Sequence, residues 1–226
     1  MTQALPSTTA SCLYLHGLCS SPGSKKRHFF QKKLRPSGVE VMAPDLNVPT
    51  FEQLTLSAQV EAVSDFVQGP PSLAPVVLVG SSLGGLVSLL YASSHSEQVK
   101  AMLLIAPAVR FIGNRLSQLA GTDLTGWESR GHIEMVHYTD NLVHPLGFQI
   151  VEDARKYEFD ALRVPCPTLI IHGTADEVTS FSLSKAFAHS RPNVSLAPVP
   201  GADHSLSDYL EQVWELAAHF LKSALR

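Results

Sequence analysis

Cysteine is scarce in this chain of 226 residues, which contains three: Cys12, Cys19 and Cys166. They form neither a CxxC pair nor the cysteine–histidine spacing of a zinc site, and they are too few and scattered for a disulfide framework. A chain of this length buries roughly 70% of its unfolded surface, so its core needs no such staples. We therefore expect a reducing, cytoplasmic location.

Long hydrophobic runs and a basic surplus are also lacking. No run of eighteen apolar residues occurs, and the first ten residues carry no basic residue ahead of an apolar stretch, so we expect neither a membrane span nor a signal peptide. With 17 Lys+Arg against 20 Asp+Glu, the formal net charge is -3. This balance argues against a general nucleic-acid binder. We expect a soluble protein.

Short apolar runs alternate along the chain with segments whose apolar residues lie three or four apart. This alternation predicts an α/β fold: a doubly wound, mostly parallel sheet of about six strands with helices on both faces. The expected strands are 12–15, 39–43, 75–80, 101–106, 168–173 and 194–199. The expected helices are 24–35, 51–68, 83–95, 178–190 and 204–224. We expect one domain over residues 1–226.

Residues 107–164 are longer than a compact crossover needs, which predicts a short cap insertion over the strand ends. Its sequence suggests a hairpin within 131–151 and a helix over 150–157. Its aromatic residues either line an acyl pocket or form the insertion's own core. They are Phe111, Trp127, Tyr138 and Phe148, of which we select Trp127 and Phe148 as candidate substrate-binding residues.

The most informative motif is Gly80-Ser-Ser82-Leu-Gly84, because it has the spacing GxSxG directly after a predicted strand and before a predicted helix. That turn exposes a strained serine at the strand end, with small flanking residues. Only Ser82 has glycine on both sides at this spacing. A phosphate-binding loop is the alternative, but the lysine of GxxxxGK[ST] is missing.

A serine nucleophile needs a histidine base and an acid, in the chain order Ser, Asp, His. Asp176 follows the strand 168–173, and His204 follows the last predicted strand. Both positions are at carboxyl ends of strands, where ligands of open α/β sheets bind. We interpret Ser82, Asp176 and His204 as the catalytic triad. His172 is expected to order the backbone near the acid.

Three other carboxylates compete with Asp176 for the role of the acid. Glu177 adjoins it, and Asp203 adjoins His204, although a sequence neighbour rarely reaches the same imidazole. Asp45 follows an edge strand and is expected to be a turn residue.

The segment Leu13-Tyr-Leu-His-Gly-Leu18-Cys-Ser-Ser-Pro is an apolar strand opening into a loop. If this strand pairs with 75–80, the loop lies beside Ser82. Acyl transfer places negative charge on the carbonyl oxygen, which two fixed backbone N–H groups stabilise. We expect Leu18 and Leu83 to donate them. The alternative is an ordinary turn closing a βα unit.

These motifs together resemble the α/β-hydrolase superfamily, and their landmarks span most of the chain. HGLCSSPGS, residues 16–24, is similar to the loop of small bacterial esterases and thioesterases with little cap. The resemblance implies hydrolysis of carboxylic esters or thioesters through an acyl-serine intermediate, without metal or cofactor. The opening hairpin of larger members is missing, and Cys19 stands where small polar residues are common.

Two further clusters have ordinary interpretations. His132 and His137 are five residues apart, where a helical HExxH site needs four, so we expect no metal site there. Residues 25–35 hold six of the basic residues, either as a solvated helix face or as an anchor for acyl-CoA phosphates.

We therefore expect a serine esterase or thioesterase acting on small-molecule substrates with short to medium acyl groups. A peptidase or C–C hydrolase with the same triad, and a binding protein that has kept the fold without turnover, remain alternatives.

Overall fold

A computed structural model describes residues 10–111 and 124–226, and its centre is a parallel sheet of six strands in the order β2-β1-β3-β4-β7-β8. The sheet strands are β1 (Ser11–Leu15), β2 (Val41–Met42), β3 (Val76–Ser81), β4 (Val99–Ile105), β7 (Thr168–Gly173) and β8 (Val194–Val199). The predicted number of strands and their mostly parallel arrangement are confirmed. The predicted pairing of β1 with β3 is confirmed too.

The helices follow the apolar periodicity of the sequence. They are α1 (Lys25–Leu34), α2 (Leu56–Gln68), α3 (Leu83–Ser94), α4 (Leu124–Arg130), α5 (Gln149–Ala154), α6 (Phe181–His189) and α7 (Leu210–Ala224). The Thr55 side chain accepts a hydrogen bond from the Ala58 backbone N–H and caps α2, so this helix begins later than the predicted residue 51. α7 likewise begins later than predicted, after a short 3-10 turn at Ser207–Tyr209.

The sheet is covered on both faces, as predicted. Along β3, Val76 and Leu78 pack in one hydrophobic cluster, and Val77 and Val79 pack in the other. This alternation follows from the two-residue period of a strand, which points successive side chains to opposite faces. Helices α2 and α3 contribute to the first cluster, and α1 and α7 to the second.

The predicted insertion contains an antiparallel hairpin of β5 (His132–His137) and β6 (Leu142–Gly147), which α4 precedes and α5 follows. The hairpin and the following helix were predicted, whereas α4 was not. Residues 112–123 of the predicted insertion lie outside the described residues. The hairpin lies near the site end of the sheet, because the Tyr138 N–H donates to the Cys19 carbonyl at 2.9 Å in the loop after β1.

A buried carboxylate attaches the insertion to α2. Asp153 accepts hydrogen bonds from the backbone N–H of Ser57 at 2.7 Å, from the Ser57 hydroxyl at 2.8 Å and from Lys156 at 2.8 Å. Burial would raise the pKa of Asp153, but these donors outweigh it and hold the pKa below its ordinary value. The carboxylate therefore joins α5 to the helix layer of the sheet in its ionised form.

Helix length bears on the expectation about membranes. Within the described ranges, every helix is too short or too polar to cross a bilayer.

Candidate active site

Ser82 lies at the sharp turn between β3 and α3, at the carboxyl end of the sheet. Its backbone has φ 54° and ψ −115°, a region that residues other than glycine rarely adopt. The Ser82 N–H donates to the Ile105 carbonyl at 2.9 Å, and its own carbonyl accepts from the Ala108 N–H at 3.1 Å. The neighbouring strand β4 and its exit loop therefore hold this strained turn in place.

The two glycines of the motif are required by close packing around this turn. A Cβ at Gly84 would lie 2.1 Å from the Leu15 carbonyl oxygen, and a Cβ at Gly80 would lie 2.6 Å from the Gly84 carbonyl oxygen. Both contacts are with backbone atoms, so a side chain at either position would have to displace β1 or α3. The small flanking residues of the motif thus allow α3 to begin directly against β1.

The structure brings the three predicted triad residues together. The Nε2 atom of His204 lies 3.0 Å from the Oγ atom of Ser82, and its Nδ1 atom lies 2.8 Å from the Oδ2 atom of Asp176. Because Asp176 faces Nδ1, that nitrogen carries the proton, and Nε2 is left to accept the serine proton. The arrangement can activate Ser82 as a nucleophile.

The Asp176 carboxylate is fully buried and accepts hydrogen bonds at both oxygens. Its Oδ1 atom accepts from the backbone N–H groups of Val178 and Thr179, both at 2.8 Å, and its Oδ2 atom accepts from the Thr179 hydroxyl at 2.9 Å. Burial would raise the pKa of Asp176, but the hydrogen bonds from His172, His204 and the Thr179 backbone outweigh it. They hold the pKa well below its ordinary value.

None of the three competing carboxylates occupies this position. Glu177 is exposed. Asp203 accepts hydrogen bonds from the Ser205 hydroxyl and the Leu206 N–H, so it shapes the loop that carries His204. Asp45 accepts from the Asn47 N–H at 3.0 Å, which agrees with its expected role as a turn residue.

The loop after β1 lies directly beside the serine, as the oxyanion-hole hypothesis requires. A Cβ at Gly17 would lie 3.3 Å from the Ser82 Cβ. Leu18 follows Gly17 in this loop, which faces the turn at residues 80–84, here called the elbow. Leu83 is the first residue of α3, where a backbone N–H has no partner within the helix. The buried His16 donates from Nδ1 to the Gly17 carbonyl and accepts at Nε2 from the Leu46 N–H, both at 3.0 Å, and so fixes the loop.

The polar network behind the elbow was not predicted from the sequence. The Lys26 ammonium lies 3.4 Å from the Ser81 hydroxyl. Burial raises the pKa of Tyr14 to about 12, while the Ser24 and Ser81 side chains act in the opposite direction. Burial lowers the pKa of Lys26, while the nearby Asp203 and Asp176 carboxylates act in the opposite direction. Its only sequence signal was the position of Lys26 shortly after the loop that carries Leu18.

Two of the remaining basic residues of 25–35 are engaged with the protein itself. Arg27 donates from Nε to the Val41 carbonyl at 3.0 Å, and Lys33 pairs with Glu211 at the surface. Lys25, Lys32 and Arg35 are exposed. The segment therefore has an exposed basic side, which fits a solvated helix face and leaves an anchor for acyl-CoA phosphates as the alternative.

The two aromatic residues selected for substrate binding lie elsewhere than expected. Trp127 is 0% exposed and its indole N–H donates to the Leu146 carbonyl at 3.2 Å, while Phe148 packs edge-on against it at 5.9 Å between ring centroids. Both belong to the hydrophobic cluster that also contains Leu78 of β3 and Val63 of α2, and this corrects their assignment to the acyl pocket. Phe111 is buried as well, whereas Tyr138 is 79% exposed at the tip of the hairpin.

The two histidines with metal-like spacing lie on one strand, β5. Because they are five residues apart on a strand, their side chains point to opposite faces. His132 is exposed beside Glu134, and His137 is buried against Phe51. Across residues 10–111 and 124–226, no group of three or more metal-ligating side chains comes together.

Two hollows extend along α6 from the loop after β7, which carries Asp176. A narrow one is lined by residues that include Pro107, Val178 and Thr179, the residue that contacts Asp176. A cavity of about 250 Å³ follows, and the two share Val109, Arg110 and Leu183. Together they form a path that starts beside the triad and has both apolar and charged walls, with Arg110, Asp160 and Arg191 along its wider part.

Comparison with known proteins identifies a family and several related hydrolases. The model of a family described as an uncharacterised protein family, UPF0227, matches residues 11–221. The pimeloyl-[acyl-carrier protein] methyl ester esterase of Chromobacterium violaceum is 26% identical over 194 residues, which are 70% of this chain and 75% of that protein. The human mitochondrial palmitoyl-protein thioesterase ABHD10 is 26% identical over 129 residues, which are 56% of this chain but only 40% of that protein.

Solved structures agree on the fold. Est1E from Butyrivibrio proteoclasticus, with ferulic acid bound, superposes with a TM-score of 0.82 at 24% identity, covering 99% of this chain and 92% of that one. The expected α/β-hydrolase fold is confirmed. The expected class of carboxylic ester hydrolase agrees with the names of the curated relatives, which are esterases, lipases and thioesterases.

Proposed function

Because the chain belongs to the uncharacterised protein family UPF0227, whose description assigns no activity, we propose its function from the geometry of the site. It is a serine hydrolase that cleaves carboxylic esters or thioesters of small molecules through an acyl-serine intermediate. The observation that carries this proposal is the continuous hydrogen-bonded series from Ser82 through His204 to Asp176, with distances of 3.0 and 2.8 Å.

In the first half of the reaction, the Ser82 oxygen attacks the acyl carbon while its proton passes to Nε2 of His204. The Leu18 and Leu83 N–H groups stabilise the negative oxygen of the tetrahedral intermediate, each contributing about 2.7–4 kcal/mol. Asp176 stabilises the imidazolium. The intermediate collapses when the C–O or C–S bond breaks and His204 gives its proton to the departing alcohol or thiol.

In the second half, His204 takes a proton from a water molecule that attacks the acyl-serine. A second tetrahedral intermediate forms at the same N–H groups and collapses to the carboxylic acid, and the proton returns to the Ser82 oxygen. The balance is one ester or thioester and one water consumed, and one acid and one alcohol or thiol released. None of these steps requires a metal or a cofactor.

Two buried cysteines are unsuited to compete as nucleophiles. Burial raises the pKa of Cys12 to about 12 and that of Cys166 to about 11, so both stay protonated near neutral pH. Cys12 and Cys166 are thus buried as thiols, which supports a cytoplasmic location.

The acyl group is proposed to follow the path along α6, since the insertion's aromatic residues are core. The cavity of about 250 Å³ fits short to medium acyl groups better than a long-chain lipid. Leu183 lines both hollows, so Leu183→Phe should narrow the path. We expect this variant to lose activity on the longer acyl groups while it keeps activity on acetate. An unchanged chain-length profile would place the acyl group elsewhere.

The test of the proposal is turnover of a panel of p-nitrophenyl esters and acyl thioesters by the wild type and two serine variants. Ser82→Ala should lose several orders of magnitude in kcat, because the triad acts as a unit. Ser81→Ala is the matched control, because Ser81 is the neighbour of Ser82 in the chain but its hydroxyl faces Lys26 rather than His204. Activity that survives in Ser82→Ala would refute the mechanism.

The panel also separates the proposal from its rivals. A peptidase or C–C hydrolase would use the same triad but would turn over peptides or diketones faster than any ester. A binding protein on this fold would turn over nothing while its wild-type structure stays intact.

A further inference from the structure

His172 lies between the catalytic acid and α6, a position that the mechanism above does not use. It is fully buried, and its Nε2 atom lies 3.0 Å from Oδ2 of Asp176, the oxygen that also accepts from His204. The same Nε2 atom lies 3.0 Å from the Thr179 carbonyl oxygen. Both neighbours are acceptors, so Nε2 carries a proton and donates it to them.

The other ring nitrogen faces α6. The Nδ1 atom of His172 lies 2.8 Å from the Ser184 hydroxyl on α6. With the proton on Nε2, Nδ1 can accept the Ser184 hydrogen bond. The ring of Phe181 packs edge-on against His172 at 5.9 Å between centroids. These contacts from α6 fix the orientation of the ring.

We propose that His172 is a positioning residue of the hydrolase, which holds Oδ2 of Asp176 in line with His204. It completes a hydrogen-bonded series that runs Ser184–His172–Asp176–His204–Ser82. This inference rests on the proposed function. It goes beyond an ordering role for the backbone, because His172 contacts the acid itself.

The chemical consequence concerns the oxygen that orients the base. Oδ2 of Asp176 accepts from His204, His172 and the Thr179 hydroxyl, while Oδ1 accepts from two backbone N–H groups. Removing His172 leaves the carboxylate ionised but takes away one of the three donors that define the direction of Oδ2. The Nε2 atom of His204 then points less accurately at Ser82. This costs the chemical step rather than substrate binding.

The experiment compares two variants of His172 in the full chain on a p-nitrophenyl ester. His172→Phe keeps the ring volume without a hydrogen bond, and His172→Gln restores an N–H donor near the position of Nε2. We expect Phe to lower kcat about ten- to a hundredfold, the size typical of a lost hydrogen bond to a charged group, with KM changed less than about threefold. Gln should recover most of that loss.

A control separates positioning from general destabilisation. Val63→Ala removes buried apolar volume from α2, far from the acid. At a comparable loss in melting temperature, this variant should keep the wild-type kcat. A kcat of His172→Phe within about twofold of wild type, or a loss in Gln as large as in Phe, would overturn the inference.

A spectroscopic readout is independent of turnover. NMR of protein labelled with ¹⁵N-histidine should show a proton on Nε2 of His172. A proton on Nδ1 instead would overturn the inference. If the wild type hydrolyses no ester or thioester, the proposed function fails, and this tautomer still decides whether His172 donates to Asp176.

Discussion

Replacing Asp176 with asparagine changes one oxygen of the acid into an N–H₂ group and leaves the side-chain shape almost unchanged. The carboxylate is surrounded by donors only: two backbone N–H groups at Oδ1, and His204, His172 and the Thr179 hydroxyl at Oδ2. Whichever way the amide turns, its N–H₂ group faces donors. We expect it to face His204, because the backbone N–H groups at Oδ1 cannot rotate away.

The magnitude follows from this mismatch. With an N–H donor opposite it, His204 favours the tautomer with the proton on Nε2 and can no longer accept from Ser82. We expect kcat to fall on the order of 10⁴-fold, as for other serine hydrolases with this change. The unpaired donors should lower the unfolding free energy by about 1–3 kcal/mol, which is a drop of several degrees in melting temperature.

The assay is kcat on a p-nitrophenyl ester together with thermal melting, with Glu177→Gln as the matched control. Glu177 is the adjacent acid, is exposed, and undergoes the same carboxylate-to-amide change. It should keep both kcat and melting temperature near wild type. The reasoning is refuted if Glu177→Gln loses the activity and Asp176→Asn keeps it.

Three further predictions concern the framework of the site. Gly84→Ala should abolish folding or activity, because its Cβ would lie 2.1 Å from the Leu15 carbonyl oxygen; a soluble, active variant would contradict the packing. Asp153→Asn should cost about 1–3 kcal/mol at neutral pH. Since the folded pKa of Asp153 is lowered, this contribution is present above its unfolded pKa of about 4 and is lost as the pH falls through the folded pKa, which urea unfolding at several pH values measures. Trp127→Ala should cost about 3–5 kcal/mol and leave the acyl chain-length profile unchanged, whereas a flattened profile would return Trp127 to the pocket.

The sheet and the triad could be predicted because their signals are local. Each strand is a short apolar run, and the elbow needs glycine at 80 and 84 for the close contacts that the structure contains. The order Ser, Asp, His follows from the strand ends at which these residues lie. Each of these segments carries its own local pattern, and the parallel sheet brings the ends of its strands to one edge.

The residues that support the acid could not be predicted in the same way. Ser184 contacts His172 across 12 positions, and Lys26 reaches Ser81 across 55 positions, so neither pair leaves a pattern in the sequence. Thr179 is an exception, because an aspartate that accepts from N–H groups two and three residues later is a recurrent turn. That signal was present at Asp176.

The aromatic residues of the insertion are compatible with two roles at the level of sequence. A pocket lining and a small core both need large apolar side chains, and only burial distinguishes them. Trp127 is 0% exposed and bonded to the Leu146 carbonyl, so its role is packing. No sequence pattern separates the two uses.

The central claim is that Ser82 is a nucleophile activated by His204. The most direct measurement is labelling with a fluorophosphonate, followed by mass spectrometry of the labelled peptide. We expect one phosphonyl group, on Ser82, in the wild type and almost none in His204→Ala. An unlabelled wild type, or a label on Ser81, would contradict it.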